Sequence, residues 1–168
     1  MSRLAPGVSR RRAVLDGVGL LARLGLAAVF LISGGLKASD PRETVVAVRG
    51  YDLLPESLVT AVAATLPYLE IALGVLLVVG LATRLAAVLG AVLLMVFIAG
   101  VISAAARGLT IDCGCFGGGG AVEPGQTAYA AEILRDLAFL ALAAYLVYRP
   151  NTPLSVDRWA RSRPGQSA

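Results

Sequence analysis

Histidine is absent from this chain of 168 residues, and cysteine occurs only twice. A closed structural zinc site wants four ligands, and Cys113, Cys115 and Asp112 would supply three at most. Haem and iron–sulfur ligation fail on the same shortage, so no metal is expected. Charge is scarce as well: 15% of the residues are charged, where an ordinary soluble domain carries about a quarter. Aromatic residues make up 6% and do not interleave with a basic patch, which removes nucleic acid as a partner despite the net charge of +4. The short alternating segments of a membrane barrel are missing too.

What fills the chain instead is Ala, Val, Leu and Gly, with 57% of residues hydrophobic. Such a composition belongs in a lipid bilayer, where small residues let helix backbones approach closely. Four apolar stretches, at about 17–38, 58–82, 84–106 and 128–148, match the roughly 20 helical residues needed to cross a hydrocarbon core. The expected fold is an all-α membrane protein, a four-transmembrane-helix bundle. The second and third stretches meet near Thr83 and Arg84, a connection so short that they must form an antiparallel hairpin. The first two are joined by "SDPRETVVAVRGYDLLPES", where apolar and charged residues mix irregularly between Pro41 and Pro55. That pattern predicts a short interfacial helix. The domain boundaries follow: a basic N-terminal tail over 1–16, the membrane domain over 17–148, and a disordered C-terminal tail over 149–168.

Lys and Arg near helix ends set the orientation. One side receives Arg3, Arg10, Arg11, Arg12, Arg84, Arg149, Arg158, Arg161 and Arg163; the other receives Lys37, Arg42, Arg49 and Arg107. The excess puts both termini in the cytoplasm, in a multi-pass protein of the cytoplasmic membrane. "SRRRAVL" also resembles a twin-arginine export signal, but the run behind it contains Arg23 and is as long as a full span. The loop between the third and fourth stretches then faces the extracytoplasmic side, an oxidising compartment.

That loop holds "IDCGCFGGGG", residues 111–120. Cys113 and Cys115 are i and i+2, so their Cα atoms lie about 5.5 to 7 Å apart, at the upper edge of what a disulfide tolerates. Gly114 can take dihedrals closed to other residues and narrow the gap. The ring would be small and strained, the reducible and exchanging kind, and Gly114 and Gly117 to Gly120 are expected to leave the sulfurs uncovered. A static clip would remove little unfolded-chain entropy over so short a loop. Redox chemistry is one reading of the pair; a structural or inert pair is the other.

Glu70 falls mid-span in the second stretch, about 18 Å from either end, with Pro67 one turn earlier. A carboxylate at that depth is a candidate site. Its expected partners are Arg23, about 9 Å inside the first span, and Arg135, about 10 Å inside the fourth. A structural ion pair, with Arg23 snorkelling, and a proton or quinone pocket are both compatible with this placement. Glu132 and Arg135, i and i+3, can pair on one helix face. Arg135 or Arg107, at opposite ends of the cysteine loop, would favour a thiolate if held near the sulfurs.

Taken together, "RLGLAAVFLISGGLKASDP", "YDLLP", "LPYLEIALGVLLVVG" and "DCGCFG" resemble the MauE branch of the DoxX-like membrane proteins over about residues 20–148. The resemblance implies extracytoplasmic disulfide formation or thiol electron transfer beside a thioredoxin-like partner, with Cys113 and Cys115 as the redox pair; their loop neighbours Asp112, Gly114 and Phe116 are expected to shape the surroundings of the thiols. It also implies a link to methylamine utilisation, through maturation of a disulfide-rich dehydrogenase subunit. The expected function is a thiol–disulfide oxidoreductase, or one subunit of such a chain, and oligomers are compatible with it. No motif demands a cofactor, although a quinone in the bundle would let a single cysteine pair suffice. A non-catalytic membrane scaffold for a redox partner is the alternative.

Overall fold

Three of the four apolar stretches form helices long and apolar enough to cross a membrane: Arg11–Ser39, Glu56–Val79 and Thr83–Ala106. A computed structural model of the chain describes residues 6–123 and 125–162. Arg3, Arg163 and the end of the expected tail lie outside them.

Helix α1 runs over Pro6–Ser39 and begins well before residue 17. Pro6 opens it, at the position where the missing N–H costs nothing and the fixed φ is already helical. Asp40 ends α1 and caps α2 (Pro41–Gly50): its carboxylate accepts from the Glu43 N–H at 2.9 Å, and Pro41 takes the first helical position. Helices α3 (Glu56–Val79) and α4 (Thr83–Ala106) form the expected hairpin. Gly80, in the left-handed conformation at φ 70°, makes the turn. Helix α5 spans Tyr129–Tyr148 and α6 spans Val156–Ser162. The fourth expected span, α5, has 20 residues. It carries Glu132, Arg135 and Asp136 in its first two turns, a denser run of charge than the apolar stretches of the other three helices hold.

The cysteine loop is more regular than its glycine content suggests. Strand β1 (Ile111–Asp112) pairs antiparallel with β2 (Gly120–Ala121), Ile111 opposite Ala121 and Asp112 opposite Gly120. The CGC stretch is therefore the turn of a small hairpin. Two-residue strands are too short to leave an alternating pattern in the sequence.

Helix α1 packs on α3 and α5, α4 packs on α5, and α2 lies between α3 and β2. Leu26, Phe30, Leu73, Leu77, Leu94 and Leu146 form the centre of the bundle. Small residues set the α1–α3 spacing: a Cβ on Gly34 would lie 2.7 Å from the Pro67 carbonyl oxygen, and one on Gly74 2.6 Å from Leu31 Cγ. Large apolar side chains such as Leu21 and Val96 stand exposed on the outer faces, as hydrocarbon surroundings require.

Two expectations are corrected here. The chain beyond 149 is folded through Ser162: Thr152 and Ser155 are buried, and the Asp157 carboxylate accepts from the N–H groups of Ala82 and Thr83 at 2.9 and 2.8 Å. Helix α4 is thus capped from the C-terminal segment. Arg23 neither snorkels nor meets Glu70; it is buried and donates to the carbonyls of Pro153 and Leu154 at 3.2 and 3.0 Å. It sits ten residues, about 15 Å of helix, from Ser33, which is where Glu70 lies.

Candidate functional site

Ser33 and Lys37 are one turn apart on α1 and project from the same face. Opposite them on α3 stands Glu70, fully buried, with Lys37 and Ser33 nearly so. The Lys37 ammonium donates to Glu70 Oε1 at 3.0 Å, to Ser33 Oγ at 2.6 Å and to the Cys115 carbonyl at 3.0 Å. Its three protons thus have three partners. Ser33 Oγ lies 3.1 Å from Glu70 Oε2 and 2.6 Å from the Cys115 carbonyl, so its single proton serves one of the two. The partner of Glu70 is Lys37, not Arg23 or Arg135. The mid-span carboxylate and the cysteine loop, separate candidates in the sequence, form one site.

Cys113 and Cys115 are unjoined thiols. Contrary to expectation they are covered, 8% and 6% exposed. The glycines do not open the loop; they press it onto α2. A Cβ on Gly114 would lie 2.6 Å from Ala47 Cβ and one on Gly119 2.4 Å from the same atom, with φ of 64° and 122°. Asp112 Oδ1 accepts from the Gly114 N–H at 3.1 Å and holds the turn. Tyr51 donates its phenol proton to the Cys113 carbonyl at 3.0 Å. Burial, with the two thiols close by, raises the Tyr51 pKa and keeps that donor protonated.

The two sulfurs differ. Cys113 Sγ accepts from the Cys115 N–H at 3.3 Å and lies 3.8 Å from Arg135 Nη2. The Cys115 side chain, donating to it, holds the Cys113 pKa below the ordinary thiol value, and Arg135 adds to this. Cys115 is pushed up by the same hydrogen bond and by burial. The arrangement favours a Cys113 thiolate with Cys115 as the protonated neighbour.

Arg135 is held by three contacts: Asp136 Oδ1 at 2.9 Å, Cys113 Sγ, and the face of the Phe116 ring, 4.9 Å from its centroid. Phe116 in turn meets Phe139 edge-on at 6.5 Å between centroids. The ion-pair partner of Arg135 is therefore Asp136 and not Glu132, the side-by-side residues reaching one another as the guanidinium folds over the loop. Arg107 is not at the sulfurs; it donates to the carbonyls of Tyr51 and Asp52 and braces the end of α2. Glu132 is turned inward instead. Its carboxylate, that of Asp112 and Cys113 Sγ offer ligand atoms all within 4.8 Å of one another, a three-donor set that lacks the fourth ligand of a closed zinc site.

Sequence reasoning missed Ser33, Lys37, Tyr51 and Asp136 as site residues. The i, i+4 spacing of Ser33 and Lys37 was the available signal, while Lys37 read as an orientation mark near a helix end.

Residues 15–149 match the family model described as "Methylamine utilisation protein MauE". The chain is 38% identical over 122 residues to the methylamine utilization protein MauE of Paracoccus denitrificans, covering 72% of this chain and 63% of that protein. It is 32% identical over 141 residues to the MauE of Methylophilus methylotrophus, covering 83% and 71%. The aligned region thus spans less than two thirds of the Paracoccus relative. No solved structure matches. On the family match and these two relatives, the chain belongs to the MauE family, which is linked to methylamine utilisation.

Proposed function

We propose that this chain is a membrane thiol–disulfide redox protein that exchanges electrons through Cys113 and Cys115 with a thioredoxin-like extracytoplasmic partner, in support of the maturation of an exported protein. The observation that carries this reading is the asymmetry of two unjoined thiols: Cys113 beside Arg135 with a lowered pKa, Cys115 beside it with a raised one. The Cys113 thiolate attacks one sulfur of the partner's disulfide and the other sulfur leaves as a thiolate. Cys115 then attacks the Cys113 sulfur of the mixed disulfide, loses its proton and releases the reduced partner. In this direction the partner leaves as a dithiol and this chain as the Cys113–Cys115 disulfide; a reduced partner drives the same exchange backwards and leaves this chain as the dithiol.

In this reading α5 is the fourth span, α2 lies at the outer interface, both termini are cytoplasmic and the hairpin faces outward. Since the sulfurs are covered, a protein partner reaches them only when the hairpin lifts from α2 at its run of positive-φ glycines. That same burial favours a second reading, a non-catalytic assembly subunit whose loop is shaped by the clamp on Cys115.

One experiment separates them. Cys113→Ser and Cys115→Ser are expressed in intact cells, thiol state is followed with a membrane-impermeant maleimide, and mixed disulfides are trapped. The carrier reading expects labelling from outside, loss of function in both variants, and a trapped thioredoxin-fold protein in Cys115→Ser. Retained function with nothing trapped sinks it in favour of the assembly subunit.

A further inference from the structure

A cavity of about 280 Å³ lies between α2, α3, α4 and the cysteine hairpin, and both Cys113 and Cys115 form part of its wall. Its lining is almost wholly apolar, with Phe97, Leu93 and Leu66 among its walls. Leu53 and Val96, which also line it, are more than half exposed. Val96 sits in the middle of a helix apolar enough to cross a membrane, so the mouth on that side opens toward hydrocarbon. The polar residues of the wall have their donors engaged: Lys37 with Ser33, Glu70 and Cys115, Thr44 with the Lys37 carbonyl, Tyr51 with the Cys113 carbonyl.

We propose that this cavity receives the ring of a lipid-soluble quinone, to which the Cys113–Cys115 pair passes two electrons. The inference rests on the thiol-redox reading above with the exchange run in reverse: a reduced partner passes two electrons and two protons to the Cys113–Cys115 disulfide, and the quinone is the acceptor that oxidises the resulting dithiol. A buried dithiol that meets an apolar chamber open to lipid needs a two-electron carrier that is planar, uncharged and membrane-soluble, and a quinone has all three properties. The volume lies just under the roughly 300–1,000 Å³ of ordinary ligand clefts, which suits a ring whose tail stays in the bilayer. The Cys113 thiolate adds to a ring carbon and forms a C–S bond. Cys115 attacks the Cys113 sulfur, the S–S bond forms, the C–S bond breaks, and its electron pair leaves on the ring as hydroquinone. One proton comes from Cys115 and the other from water, replacing the one Cys113 released on becoming a thiolate, so that overall two thiols and a quinone become a disulfide and a hydroquinone. With no free donor in the wall, recognition comes from shape, and benzoquinone and naphthoquinone rings should both react.

The test uses the full chain, reduced, in nanodiscs, with a decyl-tailed ubiquinone and menadione in turn, and with a small dipyridyl disulfide as water-soluble comparison. Hydroquinone formation should match disulfide formation one to one and vanish in Cys113→Ser and Cys115→Ser. Val96→Phe and Gly100→Val narrow the cavity and are each checked for thermal unfolding; they should lower the quinone rate about tenfold relative to the dipyridyl rate. A chain that reacts with dipyridyl disulfide but leaves both quinones oxidised overturns the quinone site and leaves the thiol-redox reading standing. Equal slowing of both oxidants by the narrowing variants also overturns it, since the cavity then holds only lipid. A pair that forms no disulfide with any oxidant brings down both.

Discussion

The Lys37 ammonium and the Cys115 carbonyl, 78 positions apart in the chain, are joined by a hydrogen bond of 3.0 Å. The same ammonium holds Glu70 at 3.0 Å. A buried ion pair between α1 and α3 therefore fixes the backbone of the cysteine turn, and the position of the sulfurs depends on charges placed within the helices.

Removing one member of a buried pair leaves the other as an uncompensated charge, which costs about 3–5 kcal/mol, whereas an apolar replacement of both is often neutral. Lys37→Met and Glu70→Leu should each lower the unfolding stability by an amount of that order, and the double variant should recover most of it. Each single variant should also speed alkylation of the cysteines, because the clamp on Cys115 is lost. A double variant whose loss equals the sum of the two singles would show that the pair does not act as a unit.

The helices were legible in the sequence because long apolar runs leave a strong pattern. The hairpin, the α4 cap and the Lys37–Glu70 pair were not, because each depends on residues brought together from distant parts of the chain. Glu70 stood out as a charge at mid-span, but nothing local to it names Lys37, whose position near a helix end looked like an orientation signal. The cysteines were found from their spacing. Their burial was not, since five glycines in a loop suggest openness until α2 is seen packed against them.

Gly34 tests the close approach of α1 to α3. A Cβ there would lie 2.7 Å from a backbone oxygen and 3.0 Å from Glu70 Cβ, while one on the adjacent Gly35 meets nothing within 4 Å. Overpacking of this kind costs about 1–3 kcal/mol. Gly34→Val should lower the unfolding stability by that amount or more and accelerate thiol alkylation as Ser33 and Lys37 move away. Gly35→Ala should do neither in the same measurements.

Asp157 supplies both carboxylate oxygens to the start of α4. Loss of a helix cap costs about 0.5–2 kcal/mol, so Asp157→Ala should lower the thermal midpoint and Asp157→Asn should retain part of the difference. Amide exchange at Ala82 and Thr83 reads the effect locally. Unchanged protection there in Asp157→Ala would separate the C-terminal segment from the stability of the hairpin.

The thiols carry the pH dependence. The folded pKa of Cys113 lies below that of an ordinary thiol, so its thiolate persists to lower pH than a free thiolate would and disappears as the pH falls through the folded value. Cys115 is shifted upward and stays protonated beside it. By linkage, the depressed Cys113 value adds stability that is present in full above the unfolded pKa and lost as the pH falls through the folded one. Alkylation by iodoacetamide, mapped by mass spectrometry across pH, should therefore show one reactive cysteine with a midpoint below that of an ordinary thiol. The largest cause is the hydrogen bond from the Cys115 side chain, with Arg135 a smaller one. Cys115→Ala should raise the Cys113 midpoint most, Arg135→Leu should raise it less, and Cys115→Ser, which keeps a donor, should hold it down. An equal midpoint in the alanine and serine variants would mean that the hydrogen bond is not what activates Cys113.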